Sequence, residues 1–204
     1  MLATRFKLTV NRALEPLAMR LVRSGVSPTL LTLTGAVGSA LVCLIFLRTR
    51  AVIPFCLAMA VVGSLDALDG AVARAGGCVT RVGAYLDALC DRYVEAMVVG
   101  SVAYVTGTWA LSMAVVVGAL LVSYAKARAA METSVSNQEW PDFMERMERD
   151  VIYIVGLWQS QIIPWRPFGR DVFWWTLTIL AVLVHVTVVQ RIFRASRYIL
   201  QRAR

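Results

Sequence analysis

Three uninterrupted apolar runs, Thr29 to Leu47, Trp109 to Ala125 and Val172 to Gln190, contain no aspartate, glutamate, lysine or arginine. An α-helix needs about 20 mostly apolar residues to cross the hydrocarbon core of a bilayer, and each run approaches that length. With 58% hydrophobic and only 17% charged residues, the chain is too apolar for an ordinary soluble domain. In lipid every backbone N–H and C=O must be satisfied internally, so runs of this kind fold as helices. The expected fold is an all-α integral membrane protein with six spans, roughly 28–48, 51–73, 83–106, 109–128, 146–164 and 171–192. The fifth run is short from Val151 to Pro164, and its helix is extended backwards through the polar MERMERD segment.

The first 25 residues lack the continuous apolar core and small-residue cleavage site of a signal peptide, so they are expected to be retained. Phe6, Val10, Leu14, Leu17 and Leu21 share one helical face, with Arg5, Arg12, Arg20 and Arg23 towards the other. That pattern predicts an amphipathic helix over 1–25 lying in the membrane surface, followed by a six-helix bundle over 28–192 and a basic tail over 193–204. No repeat or long linker divides the chain, so one domain over 1–204 is expected.

Of the 21 lysines and arginines, only Arg48, Arg50, Arg166 and Arg170 fall on the side of the bundle opposite the termini. The positive-inside rule therefore predicts both termini, and the segment from Asp66 to Asp91, at the cytoplasmic face of the cell membrane. The formal charge of +8 is better explained by juxtamembrane contacts with anionic lipid than by nucleic acid, for which no soluble basic domain exists. Cys43, Cys56, Cys78 and Cys90 show no CxxC pairing and are read as free thiols. His185, deep in the last run, reads as a packed or hydrogen-bonded residue.

The stretch from Asp66 to Asp91 places carboxylates where an apolar chain has least use for them. Asp66 and Asp69 are spaced i, i+3 at the end of the second span, and Asp87 and Asp91 are spaced i, i+4 at the start of the third. Each pair projects from one helical face, and the short connection makes the helices neighbours. Like charges at the edge of a low-dielectric slab need compensation. All-oxygen ligands favour hard cations, so Mg²⁺ or Mn²⁺ is implied, with enough carboxylates for a two-metal site of the kind that serves phosphoryl displacement. Gly70, Ala73 and Gly83 would leave room for a ligand, although small residues also serve helix packing. Alternatives are an ion-pair network with Arg74, Arg81 and Arg92, a divalent-cation transporter, or a scaffold that binds ions.

Written as Asp66-x2-Asp69-Gly70-x2-Ala73-Arg74-x8-Gly83-x3-Asp87-x3-Asp91, the stretch resembles the signature of the CDP-alcohol phosphotransferase family in every specified position. The resemblance implies attack of an acceptor hydroxyl on the β-phosphorus of a CDP-alcohol, with release of CMP. Asp66, Asp69 and Asp87 would hold metal on the diphosphate; Asp91 would contact a second metal and act as general base. Gly70, Ala73, Arg74 and Gly83 would line the nucleotide pocket together with Pro28, Thr29 and Thr32, because Ser27-Pro28-Thr29-Leu30-Leu31-Thr32 resembles the family's Pro-Asn-x-x-Thr segment, with Thr29 in place of asparagine.

Ser123 to Ala129 and Glu145-Arg146-Met147-Glu148-Arg149 are similar to segments of the branch that makes phosphatidylinositol phosphate or its archaeal ether-lipid counterpart, with Met147 where that branch has proline. Gln190-Arg191 resembles its last basic position. Lys126, Arg149 and Arg191 would then form a cationic pocket for the phosphate of inositol 1-phosphate, although positive-inside anchoring would also place basic residues there. Other acceptors (glycerol 3-phosphate, serine) or a CDP-inositol donor remain alternatives. Homodimerisation is expected by resemblance alone.

Overall fold

The computed structural model describes residues 15–132 and 146–202, and among them every regular element is helical. The chain clusters into two compact units, Met1–Val105 and Thr106–Arg204. The first unit holds α1, whose described part covers residues 15–23, α2 (Pro28–Thr49), α3 (Val52–Ala75) and nearly all of α4 (Arg81–Thr106). The second holds α5 (Trp109–Glu132), α6 (Arg146–Ile162) and α7 (Val172–Arg202), with a short 3₁₀ turn at Pro167–Gly169.

Four of these helices, α2, α3, α5 and α7, are long and apolar enough to cross a membrane. Helices occupy the two other expected spans as well, but composition does not mark them in the same way. The first 15 residues of α4 carry Arg81, Asp87, Asp91, Arg92 and Glu95, and α6 has 17 residues and opens with Arg146, Glu148, Arg149 and Asp150. Helix α7 continues to Arg202, through most of the segment expected as a basic tail over 193–204. Residues 191–202, RIFRASRYILQR, have neither glycine nor proline to stop a helix.

In the first unit α2 and α3 are antiparallel, and the register is read from four contacts. Thr32 meets Asp69, Phe46 stacks on Phe55 with ring centroids 4.1 Å apart, and glycines on α2 face apolar side chains of α3. A Cβ placed on Gly38 would lie 3.4 Å from Val62 Cγ1, and one on Gly35 would lie 3.8 Å from Leu65 Cβ. Small residues let membrane helices approach closely where the hydrophobic effect between them is weak.

The described part of α1 packs through Ala18, Leu21 and Val22 on Leu68, Ala71 and Val72 of α3, beside Leu31 of α2. Arg20 and Arg23 are exposed, as the amphipathic pattern requires, but so is Leu17, which was expected on the apolar face. The face used for packing is thus centred one position further on. The helix closes with Gly25 at φ +72°, where its N–H reaches the Val22 carbonyl and the Val26 N–H reaches Leu21, the paired bonds of a left-handed glycine cap. Residues 1–14, which carry Phe6, Val10 and Leu14, lie outside the described residues.

In the second unit α5 and α7 run in the same direction, since Ala119 and Val122 pack with Val184 and Val188. The fit is close at Gly118, where a Cβ would lie 2.5 Å from Val184 Cγ1. α6 packs on α7 with Tyr153 edge-on to Phe173 at 5.3 Å, and Gly156 lies so close to Thr176 that a Cβ would come within 2.5 Å of its methyl group. His185 is hydrogen-bonded through Nδ1 to the Ala181 carbonyl at 2.9 Å, the satisfied role expected of it. All four cysteines are free thiols, also as expected.

Because Gly118 leaves no room for a methyl group, Gly118→Ala is expected to destabilise the protein by about 1–3 kcal/mol. Adding Val184→Ala should recover part of that loss. Apparent melting midpoints in detergent check this, and a double variant no better than the single would contradict the packing described.

Candidate functional site

The carboxylate stretch lies where α3 ends and α4 begins. Helix α3 runs through the Asp66–Asp69–Gly70–Ala73–Arg74 face to Ala75, and its end is turned by Gly76 and by Gly77 at φ +62°. Thr80 then caps α4: its Oγ1 accepts the Gly83 N–H at 2.9 Å, satisfying a donor that the first helical turn leaves without a carbonyl. The side chain of Asp66 lies outside the described residues; its backbone is part of α3.

Asp69 is 5% exposed, a carboxylate almost withdrawn from water. The Thr32 hydroxyl donates to its Oδ2 at 2.6 Å, which ties the first turns of α2 to the last turns of α3. A hydrogen bond to a charged group contributes about 1.5–3 kcal/mol. Asp87 and Asp91 are half-buried on α4, one turn apart. One further turn on, Glu95 continues that stripe and forms an ion pair with Arg92, with the Glu95 side chain only 8% exposed. That pair was not foreseen from sequence, where Arg92 was considered as a partner of the aspartates.

The small residues have specific neighbours. A Cβ on Gly70 would lie 3.1 Å from Arg74 Nη1, so the guanidinium reaches back along α3 over the bare backbone at Gly70. A Cβ on Gly83 would lie 2.9 Å from Thr80 Oγ1 and 3.7 Å from Thr29 Oγ1. Gly83 therefore permits both the Thr80 cap and the close approach of Thr29. The structure thus brings Thr29 to Gly83, Thr32 to Asp69 and Arg74 to Gly70, linking most of the expected nucleotide-binding residues within one unit. Pro28 starts α2 at a position where its missing N–H costs nothing, while Ala73 is half-buried on α3.

Among the described residues no three carboxylate, thiol or imidazole side chains converge closely enough to enclose a metal. The donor chemistry nevertheless fits a hard divalent cation. It consists of carboxylate oxygens on two helix ends, one of them on a residue 5% exposed in apolar surroundings. Nothing in that set favours a softer metal.

In the second unit, Arg149 is 3% and Arg191 5% exposed, while Lys126 is half-buried. Arg191 Nη1 donates to the Val122 carbonyl of α5, one helical turn before Lys126, so α5 and α7 bring these two cations to neighbouring turns. Arg149 lies in the first turn of α6, which packs on α7. Residues 133–145, including the expected loop over the site, lie outside the described residues. Sequence could not foresee Thr80 or the Val122 carbonyl: a lone threonine before a helix has several uses, and a backbone acceptor has no side-chain signature.

Residues 25–187 match the profile of CDP-alcohol phosphatidyltransferase. The chain is 31% identical over 196 residues to a phosphatidylinositol phosphate synthase of Corynebacterium glutamicum, covering 90% of this chain and 84% of that one. It is 29% identical over 191 residues to an archaetidylinositol phosphate synthase of Pyrococcus horikoshii, covering 92% and 93%. Among solved structures, the Mycobacterium tuberculosis phosphatidylinositol phosphate synthase with CDP-DAG bound superposes with a TM-score of 0.76 at 30% identity, covering 90% of this chain and 94% of that one. The same synthase in complex with manganese and citrate gives 0.76 at 28% identity, covering 89% and 88%.

If the Thr32 hydroxyl holds Asp69, Thr32→Val should lower the apparent melting midpoint by the equivalent of about 1.5–3 kcal/mol, whereas Thr32→Ser should stay near wild type. Thermal unfolding of the two variants in detergent separates the hydroxyl from the methyl group.

Proposed function

Because this chain belongs to the CDP-alcohol phosphatidyltransferase family, and is therefore a membrane transferase of phospholipid biosynthesis, we propose that it moves a phosphatidyl or ether-lipid phosphate group from a CDP-linked lipid to inositol 1-phosphate, releasing CMP. The observation that carries the acceptor choice is the burial of two guanidinium groups, Arg149 and Arg191, with Lys126 one turn from the carbonyl that Arg191 binds. Guanidinium groups match phosphate through paired hydrogen bonds, and a lysine beside them adds point charge. Positive-inside anchoring accounts for exposed basic residues but not for buried ones. The inositol-phosphate relatives point the same way, and family membership leaves the transporter and scaffold readings without support.

In this reading Asp66, Asp69, Asp87 and Asp91 would hold two divalent cations, magnesium or manganese, and manganese occupies a relative's solved structure. Bound there, the metal would supply positive charge to the donor's diphosphate. Thr32 holds Asp69 through its hydroxyl, and Arg74, lying over Gly70, would meet a donor phosphate, with Thr29 and Gly83 lining the nucleotide pocket. Lys126, Arg149 and Arg191 hold the acceptor's phosphate. Asp91 takes the proton of the attacking hydroxyl at its carboxylate; the new bond forms between that oxygen and the β-phosphorus as the bond to CMP breaks. The donor's acyl or ether chains remain in the bilayer. The further proposals are one catalytic domain over 1–204, six crossings with the site and both termini at the cytoplasmic face, and a homodimer.

Asp91→Asn is expected to lower turnover by about 10²- to 10⁴-fold while CDP-lipid binding remains measurable, since the amide cannot take the proton. Near-normal CMP release would remove Asp91 as base. With a panel of acceptors, inositol 1-phosphate should drive CMP release, and Lys126→Gln should raise its KM while leaving that of the CDP-lipid nearly unchanged. Product from glycerol 3-phosphate but not from inositol 1-phosphate would overturn the acceptor choice. EDTA should abolish turnover, and Mg²⁺ or Mn²⁺ should restore it.

A further inference from the structure

The connection between α6 and α7, residues 163–171, reads IPWRPFGRD and belongs to no part of the machinery above. It is a built turn. The Gly169 N–H bonds to the Arg166 carbonyl at 3.2 Å and the Arg170 N–H to the Pro167 carbonyl at 3.1 Å, while Asp171 Oδ1 accepts the Trp174 N–H at 2.8 Å and caps α7. Between Pro167 and Gly169, Phe168 adopts a left-handed backbone conformation, φ 53°, which an aromatic residue rarely enters. The result is a phenyl ring 92% exposed.

Within the described residues the ring meets Trp175, with centroids 6.3 Å apart and tilted, a contact that leaves most of Phe168 open. Its position suggests what covers it. The apolar stretch of α7 that is long enough to cross a membrane begins at Val172, so the turn stands at the level where acyl chains give way to headgroups. Trp165 is exposed beside it, and Trp174 and Trp175 stand edge to face at 5.0 Å, a concentration of tryptophan of the kind found at that depth.

Arg166 and Arg170, both exposed, flank Phe168, and the Arg170 guanidinium carbon lies 5.3 Å over the Trp174 ring. Stacking on an aromatic face fixes the direction of a guanidinium while leaving its N–H donors open to a phosphate. The one acidic side chain of the turn, Asp171, is engaged as a helix cap.

We propose that the 163–171 turn is a docking site for anionic phospholipid, in which Arg166 and Arg170 bind the headgroup phosphate and Phe168 seats among the upper acyl-chain carbons. The turn is already shaped for this by its two hydrogen bonds, Pro167 and Gly169, so no segment has to be ordered when lipid binds. The site is independent of which acceptor the enzyme uses.

The test compares the full-length protein in nanodiscs of phosphatidylglycerol and of phosphatidylcholine. The apparent melting midpoint of the wild type should be higher in phosphatidylglycerol by several degrees. Arg166→Gln combined with Arg170→Gln should remove at least half of that difference, and the paired Arg→Lys changes should keep most of it. In parallel, a bimane label on Phe168→Cys, with Cys78→Ser and Cys90→Ser to prevent labelling elsewhere, should be quenched by lipids brominated along the chain and shielded from aqueous iodide. This second measurement reads the same claim even if the arginine variants fail to fold. A phosphatidylglycerol advantage undiminished in the Gln variants, or a label open to iodide, would overturn the proposal. So would a loss of mass in detergent by light scattering in the Gln variants, which would make the turn a contact between two copies of the chain.

Discussion

Charge withdrawn from water into an apolar helical framework is the constraint around which this molecule is organised. Asp69, Arg149 and Arg191 are each at most 5% exposed, within an all-helical chain that is 58% hydrophobic. Holding an ion in such surroundings costs several kcal/mol unless a partner compensates it. Their partners include a threonine hydroxyl on Asp69 and a backbone carbonyl on Arg191, and Arg92 stands beside the nearly buried Glu95. These are groups that can also release or share an ion with a charged substrate.

The helix packing that positions these groups depends on small residues. Gly35 and Gly38 let α2 lie against α3 closely enough for a short side chain, Thr32, to reach Asp69. Gly118 does the same for α5 and α7, and with the backbones that close Arg191 can reach the Val122 carbonyl. Such glycines weaken the individual helix but are favourable where helices must be held by contact and hydrogen bonds. Glycine has a different use at Gly83, where the bare backbone admits both the Thr80 cap and the approach of Thr29. Packing and chemistry are thus served by the same residue type for different physical reasons.

The similarity to phosphatidylinositol phosphate and archaetidylinositol phosphate synthases extends over about nine-tenths of the chain, well beyond the aspartate signature. It includes the second unit, where the family signature has no residue. There Arg191 on α7 and Lys126 on α5 stand on neighbouring helical turns, an arrangement outside the signature. The same unit carries, between α6 and α7, an aromatic and basic turn closed by two backbone hydrogen bonds.

The amino-acid sequence by itself determined the helical class and the starts of α2 to α7 to within a few residues, because long uncharged runs have few other physical readings, and it singled out the four aspartates as candidates. It also placed Arg149 and Arg191 among the candidates, but it could not distinguish a buried arginine from one that anchors the chain in a headgroup layer. Only the tertiary structure decided that, along with the Thr32 bond to Asp69, the pairing of Arg92 with Glu95, and the face on which α1 packs. The continuation of α7 to Arg202 was open in sequence because a charged helical turn and a charged tail have the same composition. Each of these depends on which side chains meet across helices or how far a helix propagates, and hydrophobic periodicity along one segment contains no information about the neighbour it will face.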